Sequence, residues 1–200
     1  MIPLDTMLLL LTVMKHCGKT TAGSRLAEEW GLPFYDLDRI IIEIYGEKSG
    51  RPYPGTTIRE VYRKAGQKAF RMFETAGAER IISEAAGEKT VRRSGRFCGI
   101  CALGGGTIEN REAVDKFSGR SVFCYIREEK EVLYRRIISR GIPAFLSREN
   151  PQSDFYSLYR HRTRLYEQQA DLTVDGKGMD PEGVYEALQK TIEEAYSGGK

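Results

Sequence analysis

Met7-Leu-Leu-Leu-Leu-Thr-Val13 runs directly into Met-Lys-His-Cys-Gly18-Lys19-Thr20-Thr21, and this junction decides how the rest of the chain is read. An apolar, strand-like run ends in a turn, and an amphipathic helix opens at about Thr20. A phosphate-binding loop needs this context: a strand, a loop of backbone N–H groups, and a helix N-terminus aimed at an anion. In such a loop Lys19 reaches the β- and γ-phosphates of a nucleotide and the Thr20 hydroxyl ligates Mg²⁺. The full pattern has a glycine five residues before Gly18, where this chain has Val13. The competing reading is a chance Gly-Lys-Thr in an ordinary strand-to-helix loop.

Outward from that loop, 200 residues suffice for one domain with a real core. Apolar residues make up 40% and charged residues 30%, an ordinary globular balance. A net charge of +3 is too small to argue for nucleic acid, and Arg92-Arg93 and Arg135-Arg136 read as solvated faces. The apolar run at 7–11 is too short to span a bilayer and lacks the flanks of a signal peptide. A cytosolic protein, expected to act as a monomer, follows. Cys98-Gly-Ile-Cys101 has metal or redox spacing, but no second Cys/His pair follows it. Buried thiols in a strand are expected there. Cys17, inside the phosphate loop, is the thiol whose surroundings would lower its pKa.

Short apolar runs alternate with longer helical patterns, as in a mostly parallel sheet covered by helices. Strands are expected at 7–13, 32–36, 97–103, 121–126 and 171–174. Helices are expected at 19–30, 39–45 (closed by Gly46), 58–65, 67–84, 109–117, 128–139, 155–169 and 181–196, with Asp180 capping the last. Segment 140–154 reads as a loop. Ligands gather at the carboxyl ends of strands in such sheets. The phosphate loop, Asp36-Leu-Asp38 and Gly104-Gly-Gly106 all fall there, and their agreement is the main warrant for a site.

Asp36 and Asp38 share a side if the chain is still extended, and lie about 200° apart if a helix has begun. They suit a Mg²⁺ shell and a hydroxyl acceptor, or one of them simply caps the helix. The three glycines expose amides to a ligand or form a flexible turn. Arg162 falls in the inward stripe of its helix with Phe155, Leu158, Tyr159, Leu165 and Tyr166, whereas Arg160 and Arg164 face elsewhere. An inward guanidinium needs an anion, either a structural carboxylate or a substrate's carboxylate or phosphate. Arg71 and Glu74 form either a surface pair of little value or a carboxylate that orients a ligand-binding arginine.

The chain resembles the shikimate kinases. The resemblance rests on Gly18-Lys-Thr, Leu32-Pro-Phe-Tyr-Asp-Leu-Asp38, Gly66-Gln-Lys-Ala-Phe-Arg71-x-x-Glu74, Leu103-Gly-Gly-Gly106 and Arg162-x-x-Leu-Tyr166-x-x-x-Ala-Asp171. These stand in order and cover nearly the whole length. The resemblance implies an α/β, adenylate-kinase-like three-layer fold: a five-stranded parallel sheet, a lid at about 140–154 and a substrate-binding region at about 37–84. It implies ATP- and Mg²⁺-dependent phosphorylation of the shikimate 3-hydroxyl. His16, Cys17, Gly18, Lys19, Thr20 and Thr21 would hold the ATP phosphates. Thr20 would ligate Mg²⁺, with Asp36 behind a water. Lys19 and Asp38 would be catalytic, Asp38 receiving the hydroxyl. Arg71, Arg162 and the backbone of Gly104, Gly105 and Gly106 would hold shikimate. Two positions depart from the family: Val13 replaces a loop glycine, and Ile142 stands where the lid carries an ATP-contacting arginine. Arg140 is expected to substitute for it. The alternatives are a kinase of another hydroxy-acid such as gluconate, and a nucleotide-binding protein with weakened catalysis.

Overall fold

A computed structural model describes residues 7–14, 18–50, 55–87, 97–139, 141–143 and 146–196. Its centre is β1 (Leu8–Thr12), whose leucines are at most 2% exposed because strands flank it on both sides and helices cover both faces. Each such side chain contributes about 1.5–3 kcal/mol, which explains why the strand is a continuous apolar run rather than an alternating one. The chain continues through α1 (Lys19–Trp30), β2 (Phe34–Asp36), α2 (Leu37–Ser49) and α3 (Ile58–Gly87) to β3 (Gly99–Ala102). A 3₁₀ turn (Thr107–Glu109), α4 (Arg111–Phe117), β4 (Ser121–Arg127), α5 (Lys130–Ile138) and α6 (Pro151–Gln169) follow, then β5 (Leu172–Asp175) and α7 (Pro181–Tyr196).

The sheet order is β2-β3-β1-β4-β5 and every pairing is parallel, as expected. The β1-to-β2 connection runs toward one edge and the β2-to-β3, β3-to-β4 and β4-to-β5 connections run toward the other. Right-handed crossovers therefore set α1 on the opposite face from α2 to α6, and α7 returns to pack on α1. The connections after the adjacent strands β1 and β3 diverge, which opens a crevice at their carboxyl ends.

Several boundaries differ from expectation, among them the following three. Gly46 does not close α2 but is buried inside it; Gly50, at φ 62°, is the cap. Residues 151–154 are not loop but the first turn of α6, which has Pro151 at its start. The helix expected from Glu109 starts at Arg111, because the Asn110 side chain accepts from the Ala113 N–H and Glu109 closes the separate 3₁₀ turn. The break at Gly66 is present as a kink with φ 75° inside α3. Cys98 and Cys101 are buried and form no disulfide, and burial pushes the Cys101 thiol well up from its ordinary value. Among the described residues no helix is long and apolar enough to cross a membrane.

Candidate active site

The carboxyl end of β1 delivers the chain to Gly18, which adopts φ 74° and caps α1. The Gly18 carbonyl accepts from Ala22 N–H at 2.9 Å, so the helix is wound from its first residue. Among the described residues no side chain caps this end, and no acidic residue sits in its first turn. Its amides are thus available to an anion. Val13 is 1% exposed and packs into the core. His16 and Cys17 lie outside the described residues.

Asp36 ends β2 and caps α2: its Oδ1 accepts from the N–H groups of Asp38 at 3.0 Å and Arg39 at 3.3 Å. Its Oδ2 accepts from the Thr20 hydroxyl at 3.3 Å. The helix has begun by Leu37, so the two aspartates divide their roles. Asp38 turns toward β3, where a Cβ on Gly104 would lie 2.8 Å from its Oδ1. Only glycine lets that carboxylate approach the turn so closely.

The Gly104–Gly106 segment is a braced turn rather than a flexible one. The Gly104 carbonyl accepts from Thr107 N–H, and that of Gly105 from the buried Tyr166 hydroxyl at 2.6 Å. The Gly106 carbonyl takes both Glu109 N–H and Nη1 of Arg71, the latter at 2.8 Å. A Cβ on Gly106 would meet Nη2 of Arg162 at 3.1 Å. Three residues therefore connect the Asp38 carboxylate at one end with both arginines at the other.

Arg162 is half-buried and faces inward as its periodicity required, while Arg160 and Arg164 are exposed. Its partner is Glu109, which also pairs with Arg71. Glu74 is only 2% exposed, so the Arg71–Glu74 contact at 2.9 Å is a buried pair and not a surface one. Its oxygens also accept from Thr107 Oγ1 at 2.9 Å and Asn110 Nδ2 at 3.1 Å, which leaves it fixed. Burial alone would raise the Glu109 carboxyl; hydrogen bonds and charge from Arg162 and Arg71 outweigh it and hold the group below the usual carboxylate range.

A cleft of about 740 Å³ opens where the start of α1, Asp38 and Gly105 meet. Its lining includes Gly18, Lys19, Thr20, Thr21, Asp38 and Gly105, together with Arg136, Ser139, Met179 and Pro181. Arg136 is thus no solvated-face residue, although Arg135 beside it is exposed. Glu128, 2% exposed, holds it: Oε2 accepts from Nη1 of Arg136 at 3.0 Å, and Oε1 from the N–H of Gly178 at 2.8 Å. Arg136 also donates to the Met179 carbonyl at 3.1 Å. Asp180 caps α7 as expected, accepting from Gly183 N–H. Ile142 is exposed and offers no donor, and Arg140 lies outside the described residues.

Among the described residues no three His, Cys, Asp or Glu side chains converge as a metal cage. The Thr20 hydroxyl and Asp36 Oδ2 are nonetheless hard oxygen donors of the type Mg²⁺ takes alongside phosphate oxygens.

A family model described as "Shikimate kinase" matches residues 15–193. The shikimate kinase of Thermodesulfovibrio yellowstonii is 29% identical over 181 residues, covering 90% of this chain and 92% of that one. The enzyme of Rhodococcus jostii is 30% identical over 177 residues, covering 88% and 92%. Among solved structures, shikimate kinase from Acinetobacter baumannii in complex with shikimate superposes with a TM-score of 0.71 at 24% identity, covering 96% of this chain and 95% of that one. That last likeness speaks for the fold.

Proposed function

This chain belongs to the shikimate kinase family, whose members phosphorylate shikimate with ATP, and we propose that it transfers the γ-phosphoryl group of ATP to the shikimate 3-hydroxyl in the cleft described above. The observation that carries this reading is the Gly104–Gly106 turn. Its Gly104 end meets a carboxylate suited to a hydroxyl, and its Gly106 end, two residues further on, meets an arginine pair suited to a carboxylate.

ATP would lie with its phosphates over His16 to Thr21 and the rest of the nucleotide against Arg136 and Pro181. Lys19 stabilises charge as the bond from the γ-phosphorus to the leaving ADP oxygen breaks. Asp38 orients the acceptor hydroxyl and takes its proton as the new O–P bond forms. Arg71, Arg162 and the turn's backbone hold shikimate, with the guanidinium forks on its carboxylate. Thr20 would hold Mg²⁺ directly and Asp36 through a water. When bound, the ion supplies neutralisation of charge on the β- and γ-phosphates. The segment between α5 and α6, with Arg140 in place of the donor missing at Ile142, would close over ATP and exclude water.

A coupled assay for ADP release tests the reading. ADP production that requires shikimate is the expected result. Turnover only with another hydroxy-acid such as gluconate, or ATP binding without turnover, would overturn it.

Glu128 acts on the nucleotide side alone. Glu128→Ala frees Arg136 and the Gly178 amide, and the loss of a charge-assisted contact of about 1.5 kcal/mol corresponds to roughly tenfold. The KM for ATP should rise by about that factor, with the KM for shikimate little changed. An equal rise in both, in steady-state kinetics, would make Glu128 a general structural support instead.

A further inference from the structure

Glu109 makes a two-point contact with Arg162: Oε1 accepts from Nε at 3.2 Å and Oε2 from Nη2 at 3.0 Å. The same Oε2 accepts from Nη2 of Arg71 at 3.1 Å. One side-chain carboxylate therefore spans both guanidinium groups with the fork geometry an external carboxylate would use. Glu74 already neutralises Arg71, so with Glu109 in place two positive charges face two negative ones. An arriving carboxylate meets a neutral cluster, with its preferred donors occupied.

The two carboxylates differ in their freedom to yield. Glu74 is 2% exposed and is locked by Thr107 and Asn110. Glu109 is 20% exposed, on a three-residue 3₁₀ turn that follows the glycine segment. His161, 61% exposed, lies with its Nε2 3.6 Å from Oε1 of Glu109, on the solvent side of the pair. We propose that Glu109 is an internal stand-in for the acceptor's carboxylate, which holds Arg71 and Arg162 in place before the acceptor arrives and is displaced when it binds. Glu109 thereby sets acceptor affinity: part of the arginines' attraction for shikimate is offset by breaking the contact with Glu109. This rests on the reading that these arginines take the acceptor's carboxylate.

Glu109→Gln and Glu109→Ala, assayed with ATP and shikimate, test the inference. Both remove the competing charge, Gln while keeping the shape of the side chain. The KM for shikimate, and its Kd by calorimetry, should fall about tenfold, the equivalent of one hydrogen bond to a charged group. The KM for ATP should not move. Thermal melts identify any variant that fails to fold, and either folded variant decides the matter. An unchanged or raised shikimate KM would make Glu109 a fixed support of the arginines and overturn the proposal. Arg162→Ala separates the two levels. It should raise the shikimate KM at least tenfold. If it does so and the Glu109 variants do not tighten binding, the displacement idea alone falls. If it does not, the carboxylate reading falls and takes the proposal with it.

Discussion

Lys19→Ala should lower kcat by about a thousandfold or more while leaving the protein folded. Lys19 is the first residue of α1 and lines the cleft where the phosphates would lie. Removing one preorganised electrostatic group from such a site costs about 2.7–4 kcal/mol, a factor of 10² to 10³ in rate. A full positive charge set against transferring phosphoryl oxygens belongs at or above the upper end of that range. Stability should hardly change. Among the described residues Lys19 makes no salt bridge, and alanine is the best helix former at that position. Coupled ADP release measures the rate, and a thermal melt confirms that the loss is chemical. A rate within tenfold of the parent would remove Lys19 from the phosphate loop. The loss should also be independent of shikimate concentration, since Lys19 lies on the nucleotide side of Asp38.

The parts of this site that were legible in the sequence are those where one chemical requirement acts on consecutive or periodic residues. A strand buried on both faces must be apolar throughout, so Leu8 to Leu11 identified β1. Helical periodicity turned Arg162 inward before any partner was known. The illegible parts depend on where elements begin. By its pattern Glu109 reads as the first residue of the helix that follows it, and nothing in the sequence pairs it with the arginines. Asn110, whose side chain caps α4 from one position further on, was the signal that separates them. Arg136 was hidden by its neighbour: consecutive helical residues diverge by about 100°, so one arginine of the pair faces water and the other the cleft. The buried Glu128 that fixes it comes from beyond the end of β4, and its closeness to residues 178–179 is a product of tertiary folding. Asp36 and Asp38 were identified as a pair whose division of labour turned on the backbone. The helix starts at Leu37, so Asp36 spends one oxygen on the cap and Asp38 is left to face Gly104.

That division makes Asp38→Asn the sharpest test of mechanism. Asparagine preserves the shape and polarity of the side chain, and the cap of α2 belongs to Asp36, so the helix start survives the change. The loss of negative charge in the first helical turn should cost at most about 1 kcal/mol of stability. The rate should suffer far more. A general base contributes about 10² to 10⁴. In phosphoryl transfer, where the transition state is loose, much of that contribution is alignment of the hydroxyl, which asparagine imitates only in part. A fall in kcat of about a hundredfold to a thousandfold is expected. The KM for shikimate should change by less than tenfold, because its carboxylate would be held elsewhere, at Arg71 and Arg162. Asp36→Ala provides the contrast. It should weaken the cap and the Thr20 contact together, with a lower melting temperature and a higher Mg²⁺ requirement. A rate within threefold of the parent for Asp38→Asn, measured at saturating ATP and shikimate, would assign the proton to another group. It would reduce Asp38 to a neighbour of the glycine turn.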